Sequence, residues 1–206
     1  MADAKASGRE VLVAITGASG AAYALRLIKR LGRAQLHSHV VISDAGRQVL
    51  RHEAGLKLTS AVRTMAGDLA AHLDLTSECI TCYGAGDWFS PAASGSSGIE
   101  SMAVIPCSMG SLARIAAGSA NTLIERAADV MIKESRRLVI VPRETPLSAL
   151  HLENMLKLAR MGVRIIPAMP GFYLQPASID DLVDSVVDRV LNHLDVDDGM
   201  MKRWGR

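Results

Sequence analysis

The chain is predicted to form one α/β domain, a doubly wound parallel sheet with helices packed on both faces. Short β-branched runs alternate with stretches of helical periodicity along its length. A glycine- and serine-rich turn follows the first run and opens a helix, the arrangement found at the carboxyl edge of such sheets. Composition supports a single aliphatic core: 49% of the 206 residues are hydrophobic but only 3% aromatic, and no repeat or proline-serine linker divides them. Apolar surface left over by so hydrophobic a chain predicts an oligomer.

Residues 1–10 read as a flexible N-terminal segment, 11–194 as the domain and 195–206 as a C-terminal tail. Strand candidates are 11–15, 39–42, 102–105, 138–141 and 163–166, with a weaker run at 79–83; each is short and apolar enough for a buried strand. Helical spacing marks 21–31, where Ala21, Leu25 and Ile28 share a face, and then 121–134, 148–161 and 178–194. Ser178 and Asp181 form a cap and acidic first turn for the last of these.

Ligands of parallel α/β sheets sit at the carboxyl ends of the strands, so the loops after Ile15, Ile42, Ile105 and Val141 are the places for a site. Gly17, Ser19 and Gly20 lie in a turn whose helix-opening N–H groups suit a phosphate. Its G-x-x-G is not the dinucleotide fingerprint, and the second strand ends in Ser43 where an NAD site wants an acid, so a mononucleotide such as FMN fits better. Residues 93–98, with Ser94, Ser96 and Ser97, and residues 106–111, with Ser108 and Met109, repeat the small-residue pattern and are read as two more phosphate-wrapping loops at the same edge. Arg126 and Lys133, two turns apart on one helix face, are expected to converge with Arg143 on a single anion; Glu144 follows Arg143 directly.

Other classes are disfavoured. A net charge of +2 provides no field for nucleic acid. The longest uncharged stretch, 11–25, is too short and too glycine-broken to span a bilayer, and Asp3 and Glu10 spoil a signal peptide, so a cytoplasmic protein is expected. Three cysteines read as reduced thiols. Asp180-Asp181-Leu182-Val183-Asp184 resembles a magnesium-diphosphate motif and Cys79-Ile80-Thr81-Cys82 half a zinc site, but helix-start acids and a lone pair of cysteines make neither, and no metal is expected.

Thr16-Gly17-Ala18-Ser19-Gly20-Ala21, Gly86-Asp87-Trp88, Ala93-Ser94-Gly95-Ser96-Ser97, the stretch NTLIERAAD at 121–129, Val141-Pro142-Arg143-Glu144 and Pro170-Gly171-Phe172-Tyr173 occur in one order, and together the chain resembles the UbiX-type flavin prenyltransferases from about Val11 to Trp204. The resemblance implies a Rossmann-like or flavodoxin-like homo-oligomer, typically a dodecamer. It also implies joining of a dimethylallyl group from dimethylallyl monophosphate to N5 and C6 of reduced FMN without a metal. The product, prenylated FMN, would serve UbiD-type decarboxylases, as in ubiquinone biosynthesis. By matching position, Gly17, Ser19, Gly20, Ser43, Ser108, Met109 and Arg126 would contact FMN, Glu53 would handle protons near it, and Trp88 would line the prenyl pocket. Lys133, Arg143, Glu144, Tyr173 and Arg189 would hold the prenyl phosphate with Ser94, Ser96 and Ser97 close by; Tyr173 and Arg189 would come from a neighbouring subunit, and Trp204 would sit in a C-terminal lid.

The chemistry agrees with these residue types. A leaving phosphate needs cations, which Lys133, Arg143 and Arg189 supply, and a developing allylic cation needs an electron-rich wall, which Trp88 and the flavin face supply. Proton removal from the ring carbon leaves Glu53, Glu144 and the released phosphate as open candidates. Two other readings compete. One is an FMN-dependent cysteine decarboxylase of the phosphopantothenoylcysteine type, suggested by Gly118-Ser119-Ala120-Asn121-Thr122 but opposed by the lack of any histidine between His72 and His151; the other is a non-catalytic flavin-binding subunit.

Overall fold

A computed structural model describes residues 9–173 and 175–200. In chain order it contains β1 (Glu10–Ile15), α1 (Ala21–Arg33), β2 (His37–Ile42), α2 (Asp44–Ala54), α3 (Val62–Leu73), β3 (Ile80–Tyr83), β4 (Ser101–Cys107), α4 (Met109–Ala116), α5 (Leu123–Lys133), β5 (Arg137–Pro142), α6 (Ala149–Arg160), β6 (Arg164–Ile165) and α7 (Ile179–His193). All strand pairs are parallel and the order is β3-β2-β1-β4-β5-β6. That is the Rossmann order, in which two mononucleotide-binding halves meet between β1 and β4.

Alternation along the strands divides the core into two layers. Val11, Val13 and Ile15 of β1 face one layer with α1, α3 and α7, while Leu12 and Ala14 face the other with α4, α5 and α6. The strands read as continuous apolar runs because both faces are covered.

Several boundaries depart from the sequence reading. β1 starts at Glu10, paired with His37, and Arg9 is bound to Asp195, so residues 9 and 10 belong to the domain rather than to an N-terminal segment. β4 does not stop at Ile105: it passes Pro106 and pairs Cys107 with Pro142 after a register shift, which accommodates the donor that proline lacks. Helices α2, α3 and α4 lie in stretches read as connections. α2 buries only Gly46 and Leu50, too few to show a period, and α4 begins inside the presumed loop 106–111. The run 163–166 shortens to the two-residue edge strand β6.

The tail also packs further than expected. Val196 is buried in the first layer, and Arg30, 2% exposed, forks onto Asp198 while its remaining nitrogen meets Asp188. The lid expected at 195–206 therefore begins as part of the domain, and Trp204 lies outside the described residues. The magnesium-like acids are committed to the same face. Asp180 and Asp184 pair with Arg26, and Asp181 closes a capping box with Ser178.

Candidate active site

At the carboxyl edge, the loops leaving β1 and β4 diverge to opposite faces and open a crevice. Thr16 ties the two loops together. Its N–H and hydroxyl donate to the Pro106 carbonyl at 3.2 and 2.8 Å, and its oxygen accepts from the Ser108 N–H at 2.8 Å. Ser108 caps α4 through the Ser111 N–H at 3.3 Å, and Ser43 caps α2 through the Gly46 N–H at 3.0 Å. Three helix N-termini, those of α1, α2 and α4, therefore lie at one sheet end.

Gly17 is required by proximity rather than by an unusual backbone angle. A Cβ there would stand 2.4 Å from the Ala45 Cβ, so only glycine lets the first turn of α2 rest on this loop. Gly17→Ala is expected to displace α2, costing about 1–3 kcal/mol, and to weaken FMN binding. A thermal melt and a fluorescence titration with FMN check this, and wild-type values in both would show that the contact does not shape the crevice.

The α1 N-terminus is not an open phosphate seat. The N–H groups of Gly20 and Ala21 both donate to Glu53 Oε2 at 2.9 Å, so a carboxylate already occupies the positive end of the helix. Burial works to raise the Glu53 carboxyl. It is outweighed by donation from Gly20, the Ser19 hydroxyl and Ala21 and by the charge of Arg143, which together hold it below its ordinary value. Arg143 is fixed in turn by its Nε donating to the Ser19 carbonyl at 3.1 Å and its N–H to the Cys107 carbonyl at 3.3 Å. Ser19, Glu53 and Arg143 thus form one connected group across the crevice, with half-buried Glu144 next in chain.

The N-terminus of α4, by contrast, is open. The first N–H groups of this helix, at Met109 and Gly110, make no hydrogen bond among the described residues, as expected of helix-start donors. Met109 offers only its backbone, because its side chain is 6% exposed and packed in the second core layer.

The remaining expected residues lie elsewhere in the same chain. Arg126 is bound to the Ala93 carbonyl at 3.1 Å and to Asp129 at 2.9 Å. Lys133 pairs with Glu134 at the far end of α5, where a Cβ on Gly95 would touch both side chains. Because α5 runs back toward the start of β5, Lys133 and the Ser94–Ser97 loop lie at the amino edge of the sheet, the edge opposite Arg143. Two expectations are corrected: the serine loop does not share the carboxyl edge, and Arg126, Lys133 and Arg143 do not converge within one chain. In that loop Ser94 and Ser96 hydroxyls bond each other at 2.9 Å, and the Ser97 hydroxyl donates to the Ser94 carbonyl at 2.9 Å.

Arg189 lies one residue beyond Asp188, the partner of Arg30 on α1, and so also sits toward the amino edge. Trp88, in the turn after β3, and Tyr173, beyond β6, are 45% and 61% exposed. Sequence reading missed Thr16 as the tie between the loops; its signal was a hydroxyl residue at a strand end immediately before the first glycine. It also missed Gly46, where a Cβ would stand 2.6 Å from the Ile15 carbonyl oxygen.

Comparison with known proteins places this arrangement. The Flavoprotein family model matches residues 2–191. A flavin prenyltransferase UbiX of Pseudomonas aeruginosa is 48% identical over 97% of this chain and 96% of its own, and one of Methanocaldococcus jannaschii is 39% identical over 95% and 98%. A solved UbiX in complex with FMN and dimethylallyl pyrophosphate superposes with a TM-score of 0.83 at 39% identity, covering 96% of this chain and 98% of that one. A dodecameric FMN-dependent UbiX-like decarboxylase from Escherichia coli O157:H7 gives 0.81 at 41%, covering 96% and 100%. A phosphopantothenoylcysteine-type decarboxylase variant shares the fold alone, at 16% identity. With its Rossmann-ordered sheet, its Thr16-tied crevice and near-full-length identity of up to 48% to these relatives, the chain belongs to the UbiX family of flavin prenyltransferases.

Proposed function

We propose that the protein transfers a dimethylallyl group from dimethylallyl monophosphate to reduced FMN in the crevice between β1 and β4, without a metal, in the cytoplasm. The observation that carries the proposal is the connected group Ser19–Glu53–Arg143 beside the open N-terminus of α4. FMN supplies the acceptor positions, N5 and C6, when bound. The free α4 N–H groups and the neighbouring Ser43 and Ser108 turns suit its phosphate, and Gly17 lets the first turn of α2 rest on the β1 loop beside them. Arg143 spends only its Nε on the Ser19 carbonyl, which leaves its two terminal nitrogens for a second anion, the prenyl phosphate. Glu53, held ionised, accepts rather than donates protons. Glu144 and the departing phosphate are the other acceptors within the same group.

The separation of the remaining cations supports an assembled site. Lys133 ends an 11-residue helix, about 16 Å long, that begins at the carboxyl edge. If Lys133, Arg189 and the serine loop grip the same phosphate as Arg143, they reach it from neighbouring protomers, with Tyr173 among them, in a closed homo-oligomer such as a dodecamer. Trp88, exposed in the single chain, then gains the covering a prenyl pocket needs. The product, prenylated FMN, passes to a UbiD-type decarboxylase.

Anaerobic incubation with reduced FMN and dimethylallyl monophosphate, followed by mass analysis of the released flavin, tests the reaction. The expected flavin is heavier by one isoprene unit and forms in the presence of a chelator; unmodified FMN would overturn the proposal. Composite assembly has its own test. Lys133→Ala and Arg143→Ala oligomers are each expected to be inactive, and random mixed oligomers to recover about a quarter of the activity, since half the protomers carry each intact edge. Failure of the mixtures to recover activity would show that the two cations do not complete one site across protomers.

A further inference from the structure

A second cleft, of about 390 Å³, opens at the amino edge between the start of β5, β6 and the end of α7. Arg136, Arg137, Arg164, Asn192 and His193 line it, with Asp195 at its rim. Its charges do not balance. Arg136 is committed to the carbonyls of Ile99 and Gly95. The Asp195 carboxylate is shared between Arg9 at 2.7 Å and Arg137 at 3.2 Å. Glu134, just after α5, is held by Lys133, and Asp188 on α7 is held by Arg30. Arg164 makes only one bond, from Nη1 to the Gly162 carbonyl at 3.0 Å, and Arg189 makes none among the described residues. Three arginines, Arg136, Arg137 and Arg164, therefore line the cleft with one acid that is already doubly paired, and Arg189 stands one turn before His193.

His193 registers the excess. Burial lowers its affinity for a proton, and the charges of Arg189, one turn back on α7, and of Arg164 on β6 lower it further. Two structural elements thus direct unbalanced positive charge at one imidazole inside a polar cleft.

We propose that this cleft binds an inorganic anion of the phosphate class, phosphate or diphosphate, with Arg164 and His193 as principal ligands and Arg137 and Asn192 at its sides. The site is separate from the crevice within a protomer, since β5 places about 20 Å between the two sheet edges. The bound anion supplies the charge that the cleft lacks, and His193 takes up a proton as it binds. The lining is polar throughout except for Leu138 and Gly162, which fits a bare phosphate rather than a group with a hydrocarbon tail.

Calorimetric titration of the whole protein with inorganic diphosphate at constant ionic strength near pH 6.5, repeated in buffers of different ionisation heat, tests this. Wild type is expected to bind saturably, with the proton taken up by His193 set against any released by the diphosphate, and Arg143→Ala, which alters the crevice, to retain this component. Arg164→Ala, a change at an exposed side chain, is expected to weaken it at least about tenfold. His193→Gln is expected to retain binding but to take up fewer protons, or release more, than wild type under the same conditions. Absence of saturable binding in wild type, an Arg164→Ala isotherm matching wild type, or loss of all binding in Arg143→Ala would overturn the proposal; the last would show that the anion occupies the crevice alone.

Discussion

Glu53→Gln is expected to lower prenyl transfer by about 10²–10⁴-fold while leaving the FMN dissociation constant within about threefold of wild type. Both helix N–H bonds, from Gly20 and Ala21, end on the single oxygen Oε2 at 2.9 Å. A glutamine carbonyl can take that position and keep both, so the crevice keeps its shape. What disappears is the negative charge opposite Arg143 and the capacity to accept a proton. Glu53→Ala provides the contrast, because it leaves both N–H groups without their partner and lowers the melting temperature as well. The pH dependence has a defined sign. The folded carboxyl titrates below its unfolded value, so its contribution to stability is complete above about pH 4.3 and is lost as pH falls through the lower folded value. Glu53 therefore stays ionised between pH 5 and 8 and adds no inflection there to the turnover profile. Full activity in Glu53→Gln would remove this residue from the chemistry.

The second large effect concerns stability. Arg30→Ala is expected to destabilise the fold by about 3–5 kcal/mol and to lower the melting temperature by about 10 °C, because it strands buried acids. Arg30 is 2% exposed, and the Asp198 side chain is 3% exposed. The guanidinium donates to Asp198 through Nε and Nη2, the latter at 2.8 Å, and to Asp188 through Nη1. Burial would raise Asp198, but Arg30 and the Met200 N–H hold it below its ordinary value. Its contribution is thus present above the unfolded carboxyl value, about pH 3.9, and is lost as pH falls through the folded one. Asp184 runs the opposite way. Burial raises it despite Arg26 and Arg30, so its share favours the fold only at low pH and is lost as pH rises through the folded value. Thermal melts of wild type and Arg30→Ala between pH 3 and 7 check both signs; a difference under about 1 kcal/mol at neutral pH would show that the network holds the tail without stabilising the domain.

Some elements were legible because their signal is local. The runs that became β1, β4 and β5 are buried on both faces, so each reads as unbroken apolar sequence, although β4 continues through Pro106 to Cys107, beyond the run that marks it. The cap at Ser178 and Asp181 needs only residues three apart, and it forms as expected. α2 was not legible: nine of its eleven residues are not buried, so no apolar period marks it. The same helix carries Glu53, whose importance in the crevice depends on meeting Gly20, 33 residues away.

The site divides along the same line. Gly17, Ser19, Ser43, Ser108 and Arg143 all follow strand ends, and a parallel sheet delivers every strand end to one edge, so composition and position together were enough to gather them. Periodicity placed Arg126 and Lys133 on one helix but carried no direction relative to the sheet. Only the tertiary structure showed that α5 runs back to the amino edge, taking Lys133 and the serine loop away from Arg143.

By itself, then, the amino-acid sequence determined the α/β class, the strand-end loops and the family, because these rest on short-range patterns and on the residues themselves. The tertiary structure decided which group sits on which helix end. Gly20 and Ala21 donate to Glu53 rather than to a phosphate because a carboxylate brought by a distant helix reaches them first, and no local pattern encodes where that helix ends.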